Sequence, residues 1–449
     1  MNITVKTIAL AALAIMVSVS CNDKKAGTSL PDNGNWNGTY TSVATGKPDY
    51  DSYFTGERLR IDLVLTGNDH EQSAFLTGMS REAGWAGPKD ALLDPFGYGE
   101  YYYELFSGDK VIFSRGLCPL FQEWRSTAQA KTVDMAMTQT VWMPFPKDSV
   151  HFVLYSRDSL KQFEPMFQCD IDPTDKLISY TPLEMPQAIL NNGDVADKVD
   201  LLFIAEGYTA DQMDKFMADA TRFTDYLFTF EPYASRKSDF NVWALQTPSL
   251  ESGVDIPQDD IWRQTLCQSG FYTFYIDRYL TVQDHTAIAR AVAAAPFDAL
   301  FIIANETKYG GGGFYNSYAM GTSDNERSNQ VFIHEFGHSF AGLADEYYDS
   351  EVAYDDDYYP AGVEPWEPNI TSMVNFASKW QDMLPEGTPV PTPDDGSHYG
   401  QIGVFEGAGY QAHGLYRPFS ECRMLNNTAP AFCPVCQRAI ERMIDFYCR

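Results

Sequence analysis

A chain of 449 residues that is 44% hydrophobic and 14% aromatic can bury at least one full core and has room for two or more domains, which excludes disorder of the whole. Its 61 acidic residues outnumber 32 lysines and arginines, and the formal charge of -29 repels phosphate backbones and anionic lipid surfaces, so nucleic acid is excluded as a partner class. No internal run reaches the roughly 20 apolar residues that a membrane-spanning helix needs.

The one long apolar run, Ile8 to Val19, follows Lys6 and ends in small residues, Ser18-Val-Ser-Cys21, before a polar stretch. It reads as a secretory signal peptide over residues 1–20, too short for a membrane anchor. Cleavage before Cys21 would leave a thiol for lipid attachment, although Ser18 stands where such signals usually carry leucine. The expectation is an exported bacterial lipoprotein at the cell envelope or surface, or otherwise a secreted protein, touching a membrane only through Cys21. Removal of Cys21 leaves Cys118, Cys169, Cys267, Cys422, Cys433, Cys436 and Cys448 in an oxidising compartment. No second CxxC and no nearby histidine completes a structural zinc site around the Cys433 to Cys436 CxxC, so a disulfide from Cys422 to one of this pair is expected.

Residues 21–36 are small and polar, which suits a tether. From 37 to 170 the pattern alternates with period two, as in Arg58-Leu-Arg-Ile-Asp-Leu-Val-Leu65, Tyr101 to Phe106, Lys110 to Ser114 and Val150 to Ser156. Such runs, bounded by Gly, Asp and Pro, predict an all-β sandwich. A proline-bearing stretch over 171–195 reads as a connection. Beyond it Asp200-Leu-Leu-Phe-Ile-Ala205 is continuously apolar, as a strand buried on both faces requires. Thr209-Ala-Asp-Gln212 offers a capping-box start to a helix running towards Phe230. Phe240 to Leu245 is another strand, Thr286 to Ala294 another helix and Phe297 to Ala304 a third strand, so residues 196–449 read as an α/β domain.

The strongest chemical signal is Val331-Phe-Ile-His334-Glu335-Phe-Gly-His338-Ser-Phe340, an HExxH in a run of helical character. On a helix His334 and His338 lie one turn apart on one face, roughly 6 Å along the axis, so both imidazoles reach one metal ion. Glu335 is offset around the helix, where it holds a water on the metal instead of the metal itself. Zinc lowers that water's pKa towards about 7, and the carboxylate takes its proton as the water attacks a carbonyl. A catalytic zinc wants a third protein ligand. Gly342 is a natural place for the helix to end, after which Asp345 is the preferred ligand and Glu346 the runner-up, with Glu364, Glu367 or Glu421 as more distant candidates. The pattern resembles that of metzincins, with glycine and candidate ligand each displaced by one residue.

His334 to Tyr347, with Pro368-Asn-Ile-Thr371, Lys379-Trp380, Tyr416-Arg-Pro418 and Cys422-Arg-Met424, resembles the IgA-peptidase family, metallopeptidase family 64. Leu202 to Thr209 and Glu251-Ser-Gly-Val254 extend the resemblance across most of residues 196–449. Met143-Pro-Phe-Pro-Lys147 is similar to the end of the β-sandwich domain that precedes the protease in that family. The resemblance implies a secreted or surface-attached zinc endopeptidase with a metzincin-like catalytic domain, acting on protein or glycoprotein substrates; it does not imply that immunoglobulin A is the substrate. In metzincin-like enzymes a methionine turn packs under the ligand histidines, and Met424 is the candidate here. Tyr416 and His413, shortly before it, are candidates to stabilise an oxyanion. The alternative reading is an inert surface lipoprotein that binds glycan or glycoprotein.

Two further stretches carry expectations. Lys308-Tyr-Gly-Gly-Gly-Gly313 lacks the lysine and hydroxyl of a phosphate loop and reads as either a cleft rim or a turn. Asp345, Glu346, Asp349, Glu351, Asp355, Asp356 and Asp357 offer oxygens for calcium, but without EF-hand spacing a solvated acidic loop is favoured.

Overall fold

Period-two alternation in the first half resolves into two sheets that share a core. A computed structural model of the chain describes residues 47–82, 84–349 and 358–448. The expected signal peptide, Cys21 and the tether over 21–36 lie outside the described residues. Helix α1 (Tyr50–Tyr53) leads into strands β1 (Phe54–Gly67), β2 (Gln72–Glu82), β3 (Tyr101–Ser107) and β4 (Lys110–Leu117), then helix α2 (Leu120–Arg125) and strands β5 (Met135–Pro146), β6 (Val150–Arg157), β7 (Phe163–Ile171) and β8 (Ser179–Thr181). The sheet orders are β5-β1-β2-β8 and β4-β3-β6-β7, antiparallel throughout except where β8 joins β2. Leu59, Ile61, Leu63 and Leu65 of β1 point into one core with Tyr103, Leu105, Phe113, Phe152 and Leu154 of the other sheet.

The other face of β1 is not solvated. Arg58, Arg60 and Asp62 are 2%, 8% and 7% exposed, because the second half of the chain covers them. That half contains strands β9 (Gln187–Leu190) and β10 (Val199–Glu206), helix α3 (Met213–Leu227), strands β11 (Phe240–Leu245), β12 (Ser269–Gly270) and β13 (Thr281–Val282), helix α4 (His285–Val292), strands β14 (Ala299–Ala304), β15 (Gly311–Phe314) and β16 (Tyr318–Thr322), helix α5 (Ser328–Ala341), hairpin β17 (Phe405–Ala408) and β18 (Gln411–Arg417), and helix α6 (Pro434–Tyr447). The stretch over 171–195 thus supplies a strand to each half. Arg58 bonds Glu82 through Nε at 2.7 Å and the Val292 carbonyl at 3.3 Å, and Arg60 bonds Glu82 at 2.9 Å and the Ala289 carbonyl at 3.3 Å. These guanidinium groups satisfy carbonyls at the C-terminal end of α4, where no further helical turn is present to do so.

Glu82 is fully buried. Arg58→Ala is therefore expected to cost about 3–5 kcal/mol, because it strips a buried carboxylate of one of its two partners. Chemical denaturation of the full chain measures this, and an unchanged unfolding midpoint would refute the coupling.

The second half is built on a six-stranded sheet in the order β15-β16-β14-β10-β11-β9, whose four inner strands are parallel and whose two edges are antiparallel. Both faces are covered, which is why its strands read as unbroken apolar runs. Leu201, Phe203 and Ala205 of β10 face α3, α5 and α6, while Leu202 and Ile204 face Ile288 and Val292 of α4. The capping box of Thr209 and Gln212 is formed, one short 3-10 turn ahead of α3. Along α5, Phe332, Phe336 and Phe340 recur every four residues and stack, with Phe332 lying 4.9 Å from the ring of Phe223 on α3. That packing fixes the rotation of α5 and turns its other face towards a cleft.

Candidate metal centre

His334 and His338 lie on the cleft face of α5. Each ring is oriented by a backbone carbonyl: the Nδ1 of His334 donates to Arg423 O at 3.1 Å and that of His338 to Leu343 O at 2.5 Å. With Nδ1 protonated, each Nε2 presents a lone pair. The two Nε2 atoms stand 3.1 Å apart.

Asp345 reaches the same point because the helix stops at Gly342. This residue has φ +64, its N–H bonds His338 O, and Leu343 N–H bonds Gly337 O, the closure of a helix that ends in a left-handed residue. A β-carbon at Gly342 would also lie 2.9 Å from Trp366, so both conformation and space favour glycine there. Asn369 then clamps the returning chain, accepting from Ala344 N at 2.7 Å and donating to Ala344 O at 2.9 Å. The Oδ1 of Asp345 sits 2.9 Å from His334 Nε2 and 3.4 Å from His338 Nε2, and it makes no hydrogen bond of its own. Its Oδ2 accepts from the Tyr410 hydroxyl.

Three potential ligand atoms therefore converge at one buried point. Burial lowers the pKa of His338, but the Asp345 carboxylate more than offsets this and holds the group up at about 9, while the same contacts hold Asp345 well below the usual carboxylate range against its own burial. A trio that draws in a proton this strongly suits a cation, and two imidazoles with one carboxylate are a donor set suited to a divalent transition metal.

Glu335 lines the cleft beside the trio without being part of it. Burial raises its pKa, an effect that His334 and His338 oppose. Met424 is fully buried beneath α5, where a β-carbon on Gly337 would meet its sulfur at 3.0 Å.

The other candidates stand outside the trio. Glu346, next to Asp345 in sequence, turns away from the histidines to Asn369, Cys433 and Cys436. Tyr416 pairs through its backbone with Thr371 and packs on the core, and His413 is an exposed residue beside Glu406, so neither lines the cleft. Strand β18 carries both away from the metal trio although they precede Met424 closely in sequence. Glu364 and Glu367 bond Ser372 and Tyr359, and Glu421 bonds Tyr399. The acidic set does not gather among the described residues: Asp345 is with the histidines, Glu346 with cysteines and Asp349 exposed, while Glu351, Asp355, Asp356 and Asp357 lie outside them. The expected disulfide from Cys422 is absent, since all seven described cysteines are free and the Cys422 and Cys436 sulfurs are 3.7 Å apart.

Several cleft residues left no mark in the sequence pattern. Gln122 and Glu123 on α2 bring the N-terminal half into the wall, and burial, partly opposed by the Tyr279 hydroxyl, pushes the Glu123 carboxyl up to about 7. Tyr410 is 65 residues beyond Asp345, and only the fold joins them. The glycine run forms edge strand β15, which lines the cleft; a β-carbon at Gly313 would lie 2.4 Å from Glu335 O, so the strand's close approach to α5 demands its absence. A second cavity, lined by Arg327, Tyr399 and Asn426, adjoins the first, and both share His334, Glu335, Arg278, Tyr309 and Tyr347. The two cavities thus meet at His334 and Glu335.

Residues 187–399 and 394–444 match the family model described as IgA Peptidase M64, and residues 49–168 match that of the Peptidase M64 N-terminus. No curated protein matches the chain.

Proposed function

The chain belongs to the IgA peptidase M64 family, and from that premise we propose that it is an exported zinc-dependent endopeptidase whose N-terminal β-sandwich forms one wall of a metzincin-like active site. The observation that carries the zinc reading is the convergence of His334, His338 and Asp345 on one buried point, with a carboxylate oxygen that has no hydrogen-bond donor. A cleft that continues past His334 and Glu335 into a second cavity supports cleavage within a chain over trimming from an end.

In this reading His334, His338 and Asp345 hold the zinc, which when bound supplies a Lewis acid and acidifies the attacking water. Glu335, which lines the cleft beside the trio, would accept the proton of an attacking water and pass it to the leaving amine. The Arg423 and Leu343 carbonyls keep the ligand nitrogens in the correct tautomer. Tyr347, which lines the cleft, is placed for the oxyanion-stabilising role, whereas His413 and Tyr416 do not line it. Substrates are proteins or glycoproteins. Export and lipid attachment rest on Ile8 to Cys21 alone; no described helix is long and apolar enough to cross a membrane.

The test is digestion of a mixed protein substrate by the purified full chain. Internal cleavage that a chelator abolishes and zinc restores is the expected result. Cleavage indifferent to chelator, or none in the zinc-loaded chain, would overturn the proposal, the latter in favour of an inert binding protein.

A further inference from the structure

Behind the catalytic helix lies a second convergence of ligand atoms, separate from the histidine trio. Glu346, Cys422 and Cys436 are fully buried and Cys433 is 2% exposed. Their carboxylate and sulfur atoms all lie within 4.8 Å of one another: Cys422 Sγ to Cys436 Sγ is 3.7 Å, Cys436 Sγ to Glu346 Oε1 is 3.1 Å and Cys433 Sγ to Glu346 Oε1 is 3.9 Å. A tetrahedron with metal–sulfur bonds of about 2.3 Å has edges of about 3.8 Å, and a shorter metal–oxygen bond brings the mixed edges to about 3.5 Å. Each measured separation lies within a few tenths of an ångström of those values, and that between the Cys422 and Cys436 sulfurs is far beyond a disulfide bond length of about 2.0 Å.

The surroundings favour charged sulfur. Backbone N–H groups of Cys433 and Met424 point at Cys422 Sγ, at 3.2 and 3.5 Å, and that of Cys436 points at Cys433 Sγ at 3.5 Å. Cys433 caps the 14-residue helix α6, so Cys433 and Cys436 sit at its positive end, the setting that stabilises a thiolate. Apart from the thiols, Glu346 has one side-chain donor, Asn369 at 3.0 Å on Oε1, and its buried Oε2 has no partner. A carboxylate enclosed by three thiols without a cation is a costly arrangement, and one that a divalent metal resolves as the thiols release their protons.

We propose that Cys422, Cys433, Cys436 and Glu346 form a second metal site, a closed structural zinc site in which all four positions are filled by protein. Thiolates select zinc over magnesium or calcium, and a full protein ligand set leaves no position for substrate. The site braces the first one from two directions. Glu346 follows Asp345, so one dipeptide serves both metals with its side chains turned apart. Cys422 precedes Arg423, whose carbonyl orients His334, and Met424, which lies under Gly337.

The proposal does not depend on the peptidase reading, and the experiment separates them. Zinc content of the purified full chain is expected to be about two per molecule, and about one in the His334→Ala/His338→Ala variant. X-ray absorption of that variant should give a sulfur-dominated shell at about 2.3 Å. Cys422→Ser/Cys436→Ser should also hold about one zinc, in a nitrogen and oxygen shell; if it fails to fold, the spectrum of the histidine variant decides alone. A zinc-free histidine variant, a shell without sulfur, or peptide mapping that finds Cys422 in a disulfide with Cys433 or Cys436 would overturn the second site. Absence of chelator-sensitive cleavage in the parent chain, with the sulfur-bound zinc intact, would count against the peptidase reading only.

Discussion

Glu335→Gln is expected to lower peptide-bond hydrolysis by about 10²- to 10⁴-fold, the range that a positioned proton-transfer group contributes, while leaving zinc content and stability close to those of the parent. Glutamine keeps the shape and one oxygen of the carboxylate but cannot accept the proton. Metal content should be spared because Glu335 stands outside the group of converging ligand atoms. Fold should be spared because the packed face of α5 is its phenylalanine stripe, on the other side of the helix. Steady-state kinetics with metal analysis on the same preparation is the measurement. A variant that cleaves at the parent's rate would remove Glu335 from the mechanism, and one that has lost its zinc would make Glu335 a ligand.

Asp345→Ala should weaken zinc at the histidine pair by more than the roughly 10- to 100-fold that losing an outer-shell partner costs, because a direct ligand is removed. Had α5 continued unbroken, Asp345 would lie roughly 10 Å beyond His338 along the axis and out of reach. The turn at Gly342 and the Asn369 clamp on Ala344 return it instead. Glu346→Ala tests the assignment from the other side, since its carboxylate faces the cysteines; it should leave the histidine-bound metal largely in place. Competition titration with a chromogenic chelator ranks the two variants. The reverse order would hand the third-ligand role to Glu346.

Which parts of this molecule could be read from its sequence follows from what each signal encodes. Alternation at Leu59, Ile61, Leu63 and Leu65 marks the inward face of β1, but it cannot say what covers the opposite face, and Arg58 and Arg60 look like solvent-facing residues until α4 is laid over them. Unbroken apolar runs correctly mark the strands with helices on both sides. HExxH carries its geometry within one helical turn, so it is legible alone. The third ligand is legible only as far as the chain turn at Gly342, because choosing between adjacent Asp345 and Glu346 requires knowing which way each side chain leaves the backbone. Chain proximity misleads at His413 and Tyr416, which a strand carries away, and is silent about Glu123 and Tyr410, which tertiary packing brings in. The CxxC looks incomplete in sequence because its fourth partner, Glu346, lies 87 residues before Cys433.

Helix α2 in the cleft wall and the arginines capping α4 have a consequence for modularity. A chain that began at residue 187 would retain every residue of both candidate metal groups, yet it would lose Gln122 and Glu123 from the cleft wall and expose the carbonyls that Arg58 and Arg60 now satisfy. The N-terminal half is thus a fixed part of the cleft and not an interchangeable cassette. An exchange of one half alone would therefore have to keep the contacts of Arg58 and Arg60 with α4 and the packing of α2 into the cleft wall.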